Sequence, residues 1–591
     1  MGSIKSIAAQ LFLRNSTTSQ LDLIGHGDDN KTVTTKNLKH FSRAIMSHST
    51  FKFELASPAP QRFGPRLGSV KFRRLPSDET TDVPSYPAQR EILTPGLLAT
   101  TSRGVIPHLS RDHARGSDAV RWVNVPFETF LEQKPPMPTL QPGFDPLHKF
   151  LGFTPGTHLL SLSVRDPSDT RDMPPSGNQQ LSVMSLRGVR KVSPVEWRSW
   201  VTACAPDVVF ALSDQPFVST DAPYSQKRLT KSIERSADWL ASLMQKGTPL
   251  PNIFVHLAGC TNAMARVAFA QSLMTPLYGP EADAVAPLAR LDDGVRGYAV
   301  DLAPLHECME ASTRKAGEKT EDTFSSITGL VKDSLAALDA GKPRLVNGTR
   351  SPHEILALIS DPGIELFDAK WVQDAAGWGI GLDFQFPVRE HVGSKKRELG
   401  HNLYDLQYRL DFGAVASCFS GAAEDDVGRK GKDVCPCISC SPRTPASRLY
   451  HGYDAPEVSG EPTREAAPRP PHTRAYIHHL LHTHEMGAHT LLVAHNLAVL
   501  DAFFTGVRRA LAECRTGAGS DGEALDHDRW TAAVREFGET YDGGLKVFEE
   551  ARVSWREVDL ARGKGRLARE KEREVQTGGL EGQEAVVLED D

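Results

Sequence analysis

From residue 193 onward the apolar positions of the chain switch between two rhythms. Short unbroken runs lie at 207–214, 253–257, 297–302, 344–348 and 364–368. Runs of this length predict buried strands. Between them, 195–205, 229–243, 263–273, 323–338 and 352–360 carry apolar residues at helical spacing, and Ser193-Pro194 suits the cap and first position of the first helix. Strands alternating with helices predict parallel β/α units, at least five of them, and an α/β fold. With the strands expected upstream, the most economical closure is a (β/α)8 TIM barrel. An open doubly wound sheet is the alternative. In either case chemistry belongs at the strand ends, where Ser213, Asp214, Asp301, Asn347, Gly348 and Asp368 stand.

Upstream, Phe51-Lys52-Phe53-Glu54-Leu55 alternates, and a second run from Leu67 to Phe72 follows a Pro/Gly turn, which predicts a hairpin. Residues 1–50 read as a disordered extension. Residues 51–192 read as the first strands and the start of the barrel, and 193–430 as the β/α barrel proper. Residues 431–512 form a further subdomain with a Pro-rich insertion at 441–471, predicted as helix, a short strand at 490–494, then helix. Residues 513–591 read as a charged helical tail that frays after Arg562.

Of the 591 residues, 39% are hydrophobic, and 40 Pro accompany 47 Gly, so a true core is expected alongside loosely organised segments. The net charge of -6 excludes a generally basic nucleic-acid coat; any RNA contact must come from a local patch or a partner. Lys395-Lys396-Arg397 and Arg429-Lys430-Gly431-Lys432 are candidates. No uninterrupted apolar run approaches the ~20 residues that span a bilayer, so stable membrane insertion is not expected. Met1-Gly2-Ser3-Ile4-Lys5-Ser6 fits the loose acylation pattern, which fixes so few positions that an ordinary polar leader explains it as well.

The cysteines carry the sharpest signal. Cys204, Cys260, Cys308, Cys418 and Cys514 are isolated, whereas Cys435-Pro436-Cys437-Ile438-Ser439-Cys440 packs three thiols into six residues. This is no disulfide framework; a reducing, cytoplasmic compartment fits better. Three adjacent thiolates need a cation, and zinc supplies it once a fourth ligand closes the tetrahedron. His472, His478, His479, His482, His484, His489 and His495 are the candidates. His484-Glu485-Met486-Gly487-Ala488-His489 resembles a metalloprotease helix, but its histidines are five apart and about 140° off a common face. His478, His479 and His482 read as one helical turn. His495, after the apolar run at 490–494, is expected at a rigid strand end, as suits a structural ligand.

The trio Cys435, Cys437 and Cys440, the segment His472-Thr473-Arg474-Ala475-Tyr476-Ile477 and the run Leu491-Leu492-Val493-Ala494-His495-Asn496 resemble the zinc region of the tRNA-guanine (queuine) transglycosylase family. The resemblance extends to 342–356 and to Gly363–Asp368. It implies a TIM barrel and one structural Zn(2+) per subunit on Cys435, Cys437, Cys440 and His495. The Pro-rich 441–471 segment is a departure, costing only a few kcal/mol of loop closure. Family chemistry exchanges a base: a carboxylate attacks C1′ of the wobble guanosine, guanine leaves, and the incoming base displaces the enzyme.

Asp368 aligns with the nucleophile of that reaction. The arginine-bearing stretch expected after it is replaced by Ala369–Gly377, with no arginine until Arg389. The second aspartate's segment is reduced to Pro175-Ser176-Gly177-Asn178-Gln179. The base-reading aspartate falls at Ser213, with Asp214 shifted by one, and Val255–Gly259 and Val300–Ala303 are bulkier than a purine slot requires. The pattern is similar to the accessory, non-catalytic branch of the family. This implies no catalytic residue of its own, a heterodimer with the catalytic subunit of queuine tRNA-ribosyltransferase, and tRNA as a ligand of that complex. The implied reaction is queuine-for-guanine exchange at position 34 of tRNAs with GUN anticodons, and the implied location is cytoplasmic, with peripheral attachment to the mitochondrial outer membrane. An active transglycosylase using Asp368 and a zinc-stabilised RNA-binding scaffold are the competing readings.

Overall fold

Eight strands close a parallel barrel in this computed structural model. The structure describes residues 49–561 except 57–61, 75–89, 170, 172, 186, 216–223, 247–251, 317–320, 389–394, 418–434, 441–470 and 517–524. In chain order the barrel strands are β4 (Gly96–Thr100), β5 (Trp122–Pro126), β6 (Leu159–Ser163), β9 (Val208–Phe210), β10 (Asn252–His256), β11 (Val295–Asp301), β12 (Arg344–Asn347) and β13 (Leu366–Asp368), which pairs back onto β4. Closure excludes the open doubly wound sheet.

The period of two along each strand sorts side chains onto two faces. Leu98, Trp122, Leu159, Val208, Phe210, Phe254, Ala299, Leu345 and Leu366 point inward and fill the barrel. Their neighbours Leu97, Val123, Leu160, Val209, Val255, Val300, Val346 and Phe367 point outward into the main core. The filling is aromatic: Trp122, Phe210 and Phe254 meet edge to face at 5.8–5.9 Å. A three-stranded antiparallel sheet, β1 (Ser49–Leu55), β2 (Gly68–Arg74) and β3 (Arg90–Thr94), packs against the same cluster through Phe51, Phe53, Val70, Phe72 and Ile92. The expected hairpin is its first pair, with Phe51 opposite Phe72. A hairpin of β7 (Leu181–Ser185) and β8 (Gly188–Val192) interrupts the path from β6 to β9.

The helices used below are α1 (Pro194–Cys204), α2 (Gln226–Leu243), α3 (Ala263–Met274), α4 (Ala303–Ala316), α5 (Glu321–Leu335), α6 (Pro352–Ser360), α7 (Lys370–Gly377), α8 (Arg474–His482), α9 (Met486–Thr516), α10 (His527–Thr540) and α11 (Lys546–Ala561). Ser193 caps α1 with a full capping box: its hydroxyl accepts from the Glu196 amide, and the Glu196 carboxylate accepts from the Ser193 amide. After the barrel, β14 (Ile380–Leu382) and β15 (Gly400–Asn402) form a two-stranded ribbon beneath α9.

One expectation is corrected by the fold. Residues 490–494 are not a strand; they lie inside α9, a 31-residue helix. The run is apolar on every side because Leu492, Val493, Leu497, Val499 and Leu500 are all buried, and a helix buried all round shows no polar stripe. That helix is also long and apolar enough, by length and composition, to cross a membrane, although His495, Asn496 and Asp501 interrupt its apolar run. Most of it is buried within the fold, so packing explains its composition. The extension at 1–48, the insertion at 441–470 and the tail after 561 lie outside the described residues.

Candidate metal centre and barrel mouth

The four residues expected to hold a metal converge. The ligand atoms of Cys435, Cys437, Cys440 and His495 all lie within 4.8 Å of one another, and all four residues are buried. From His495 Nδ1 the three sulfurs stand at 3.6, 3.3 and 3.5 Å. Zn–S bonds of about 2.3 Å and a Zn–N bond of about 2.0–2.1 Å at a tetrahedral angle separate sulfur from nitrogen by about 3.5 Å. The spacing therefore suits one tetrahedral ion. The tautomer suits it as well: His495 Nε2–H donates to the Leu382 carbonyl at 2.8 Å, leaving the Nδ1 lone pair facing the sulfurs. Without a cation, burial and the neighbouring sulfurs hold the Cys435 thiol well above its usual range. A bound divalent ion would neutralise the thiolates, and four protein ligands leave no open position for a reacting water.

A supporting layer fixes the ligands. Asn496, beside His495, accepts from the Leu382 amide and donates to the Val372 and Ile380 carbonyls, each at 3.0 Å. The Ser439 hydroxyl donates to the Leu491 carbonyl, and the Cys440 amide donates toward Cys437 Sγ. His495 is rigid as expected, but on a helix rather than at a strand end. The other histidines are spent elsewhere. His478, His482 and His489 bond the carbonyls of Leu403, Tyr404 and Ala376, and His472 stacks on Tyr476. His484 takes the left-handed conformation between α8 and α9.

At the C-terminal end of the barrel the next inward layer is polar. Asp214 is wholly buried and its carboxylate is gripped from three directions. Arg228 donates to both oxygens at 2.8 and 2.9 Å, and Arg235 adds a third bond at 2.9 Å. Both arginines come from α2, so the position nearest the family's base-reading aspartate is occupied by the protein's own cations. Ser213 Oγ is buried without a partner among the described residues. Asp301 accepts from His256, Gln215 and Asn347. The His256 ring packs on Phe210 at 5.0 Å.

Asp368 differs. Its Oδ2 accepts from Ser168 Oγ at 3.1 Å, and Oδ1 is buried with no well-aligned partner among the described residues. Burial pushes its carboxyl up to about 7; the Gly348 amide and the Ser168 hydroxyl pull back only partly, and the nearby Asp166 pushes further. Asp166, after β6, is itself raised, first by burial. Glu128, whose Oε1 accepts from the Asp166 amide, is raised by burial to about 8. Asp166, Ser168 and Glu128 were not legible as neighbours of Asp368; only an Asp-Pro-Ser at a strand end could have signalled them. The Pro175–Gln179 segment lies against α2 instead, where Asn178 accepts from Arg235 and Trp239. Lys370 pairs with Asp374 along α7. Arg397 lies over the Tyr541 ring and its amide joins Thr540; Lys395 and Lys396 are exposed, and 429–432 lie outside the described residues.

The sequence profile of the family described as Queuine tRNA-ribosyltransferase matches residues 66–460 and 467–518, well over half of the chain. The chain belongs to that family. Its relatives include proteins named "Queuine tRNA-ribosyltransferase accessory subunit 2". The one from Drosophila persimilis is 25% identical over 432 residues, covering 72% of this chain and 84% of its own. That from Drosophila melanogaster is 25% identical over 448 residues with the same coverage. That from Drosophila virilis is 24% identical over 469 residues, covering 78% and 92%. Resemblance to the accessory branch, first read from the degraded pocket motifs, thus rests on sequence similarity along most of the chain.

Proposed function

We propose that this chain is the non-catalytic subunit of a heterodimeric queuine tRNA-ribosyltransferase. It supports, in the cytoplasm, exchange of guanine for queuine at position 34 of tRNAs with GUN anticodons. One observation carries the reading: the Asp214 carboxylate is already bound by Arg228 and Arg235. A carboxylate that must recognise a purine edge cannot also be the anchor of a buried arginine fork. The metal centre, by contrast, keeps every ligand. On this reading a structural Zn(2+) ties α9 to the cysteine segment 435–440 and holds the neighbouring surface in shape. That surface fits a partner chain. Leu406, Leu410 and Phe412 are 70–76% exposed and Tyr476 is 45% exposed, on a segment joined to α8 by the Ala475–Asp411 and Arg474–Gly413 backbone bonds. Large apolar side chains grouped on a surface mark an interface.

The test is base exchange with labelled guanine. The purified chain alone should incorporate none, and mixing it with a catalytic transglycosylase chain should raise that chain's activity. Full activity of the isolated chain would overturn the reading. A second reading, an active enzyme, is favoured by the place of Asp368 at the end of β13, beside a second carboxyl on Asp166. Loss of such activity in Asp368→Asn would establish it.

A further inference from the structure

We propose that the β7–β8 hairpin and the first two turns of α2 form one basic face at the barrel rim that receives the phosphate backbone of RNA. The proposal rests on the tRNA-modifying reading above and says where this chain touches the nucleic acid. The two elements lie at the same end of the barrel, because they follow the C-terminal ends of the parallel strands β6 and β9. They are also joined. Asn178, just before β7, accepts from Arg235 and Trp239 of α2.

Their charge is one-sided. From Ser185 to Val192 the hairpin holds Arg187, Arg190 and Lys191 and no acid; from Gln226 to Ile233 the helix holds Lys227, Arg228 and Lys231 and no acid. Arg228 turns inward to Asp214. The others are not consumed by the fold. Lys191, Lys227 and Lys231 are exposed and form no ion pair among the described residues. Arg187, 74% exposed, forms a loose ion pair with Glu132 at 3.8 Å, and among the described residues Arg190 bonds the Val189 carbonyl. In a chain of net charge -6 this concentration is not a by-product of composition.

The helix placement is energetically adverse. Cations in a first turn oppose the macrodipole, and no acidic residue of that turn offsets them. An anion above the turn is attracted both by these cations and by the helix N-terminus, which offsets that cost. No large apolar side chain is exposed among the described residues of either element, so the face suits contact with phosphate rather than insertion into a bilayer.

The experiment uses the reconstituted heterodimer and an unmodified tRNA with a GUN anticodon. Lys191→Ala, Lys227→Ala and Lys231→Ala are combined, with thermal unfolding and zinc content verifying the fold. Filter binding from 50 to 200 mM salt reads the affinity and its salt slope. Each phosphate contact contributes about -0.7 to -0.9 to that slope, so the triple variant should flatten it by about 2 to 3 and bind at least about ten-fold more weakly at the low-salt end. Lys→Arg at the same three positions should restore both. An unchanged slope and affinity in the alanine variant overturns the surface. So does a variant that keeps its tRNA slope but loses binding to phosphatidylserine vesicles. Failure of the unmutated heterodimer to bind tRNA overturns the functional reading instead, which separates the two failures.

Discussion

Asp368→Asn tests the barrel mouth most directly. The carboxyl is held protonated to about pH 7 by burial, whereas an unfolded aspartate ionises near its ordinary value of 3.8. Because the folded pKa is the higher one, the favourable contribution is complete below about pH 4 and is lost as pH rises through about 7. Three pH units at about 1.36 kcal/mol each place the ceiling at about 4 kcal/mol. The amide never ionises, and it keeps an oxygen to accept from Ser168. The variant should therefore match the parent only below about pH 4 and exceed it at pH 8.5. With an unfolding entropy of about 2.1 cal/mol/K per residue, a chain of this length melts up to about 3 °C higher at the alkaline end. The assay is a pair of melting curves at each pH, accompanied by base exchange in the reconstituted heterodimer. Equal melting temperatures at pH 8.5 would refute the buried-carboxyl argument. A stabilised variant whose heterodimer is inactive would refute the non-catalytic assignment, since that loss would make Asp368 the nucleophile.

Other substitutions probe the remaining features. Cys437→Ser should lose zinc and heterodimer formation together; stoichiometric metal in the purified variant, read by mass spectrometry, would count against the site. Arg228→Met leaves the buried Asp214 with Arg235 alone and should cost about 1.5–3 kcal/mol, seen as a lower urea midpoint. Leu406→Asp with Leu410→Asp should keep zinc and fold but abolish co-elution with the catalytic chain on size exclusion. An intact complex would move the interface elsewhere.

Barrel and metal centre were legible for different reasons. In the barrel, strands such as Ile253–Leu257 are apolar on both faces because helices cover one and the filled interior the other, and this continuous pattern marks a parallel strand. Cys435, Cys437 and Cys440 were legible because three thiols at that spacing have few other uses. Pairing them with His495 needed the family resemblance, since seven histidines competed and spacing alone chose none of them. The failure at 490–494 has the same origin as the success at 253–257. A short apolar run looks alike in a buried strand and a buried helix, and only length separates them. Strand β3 was missed because Leu93 is exposed, which interrupts any apolar run there. The arginines that occupy Asp214 come from a helix 14 and 21 residues further on, so only the folded chain could bring them there.

Asn496 has a consequence of its own. One primary amide answers three main-chain groups, two carbonyls and one amide, on two different segments. A carboxylate of the same shape could satisfy the single donor but would confront both acceptors with like partial charge. Conversion of this asparagine to aspartate, by mutation or by slow deamidation with age, would therefore unfasten α9 from the ribbon it covers without touching any metal-binding atom. The joint can fail through the loss of one nitrogen while every sulfur remains in place.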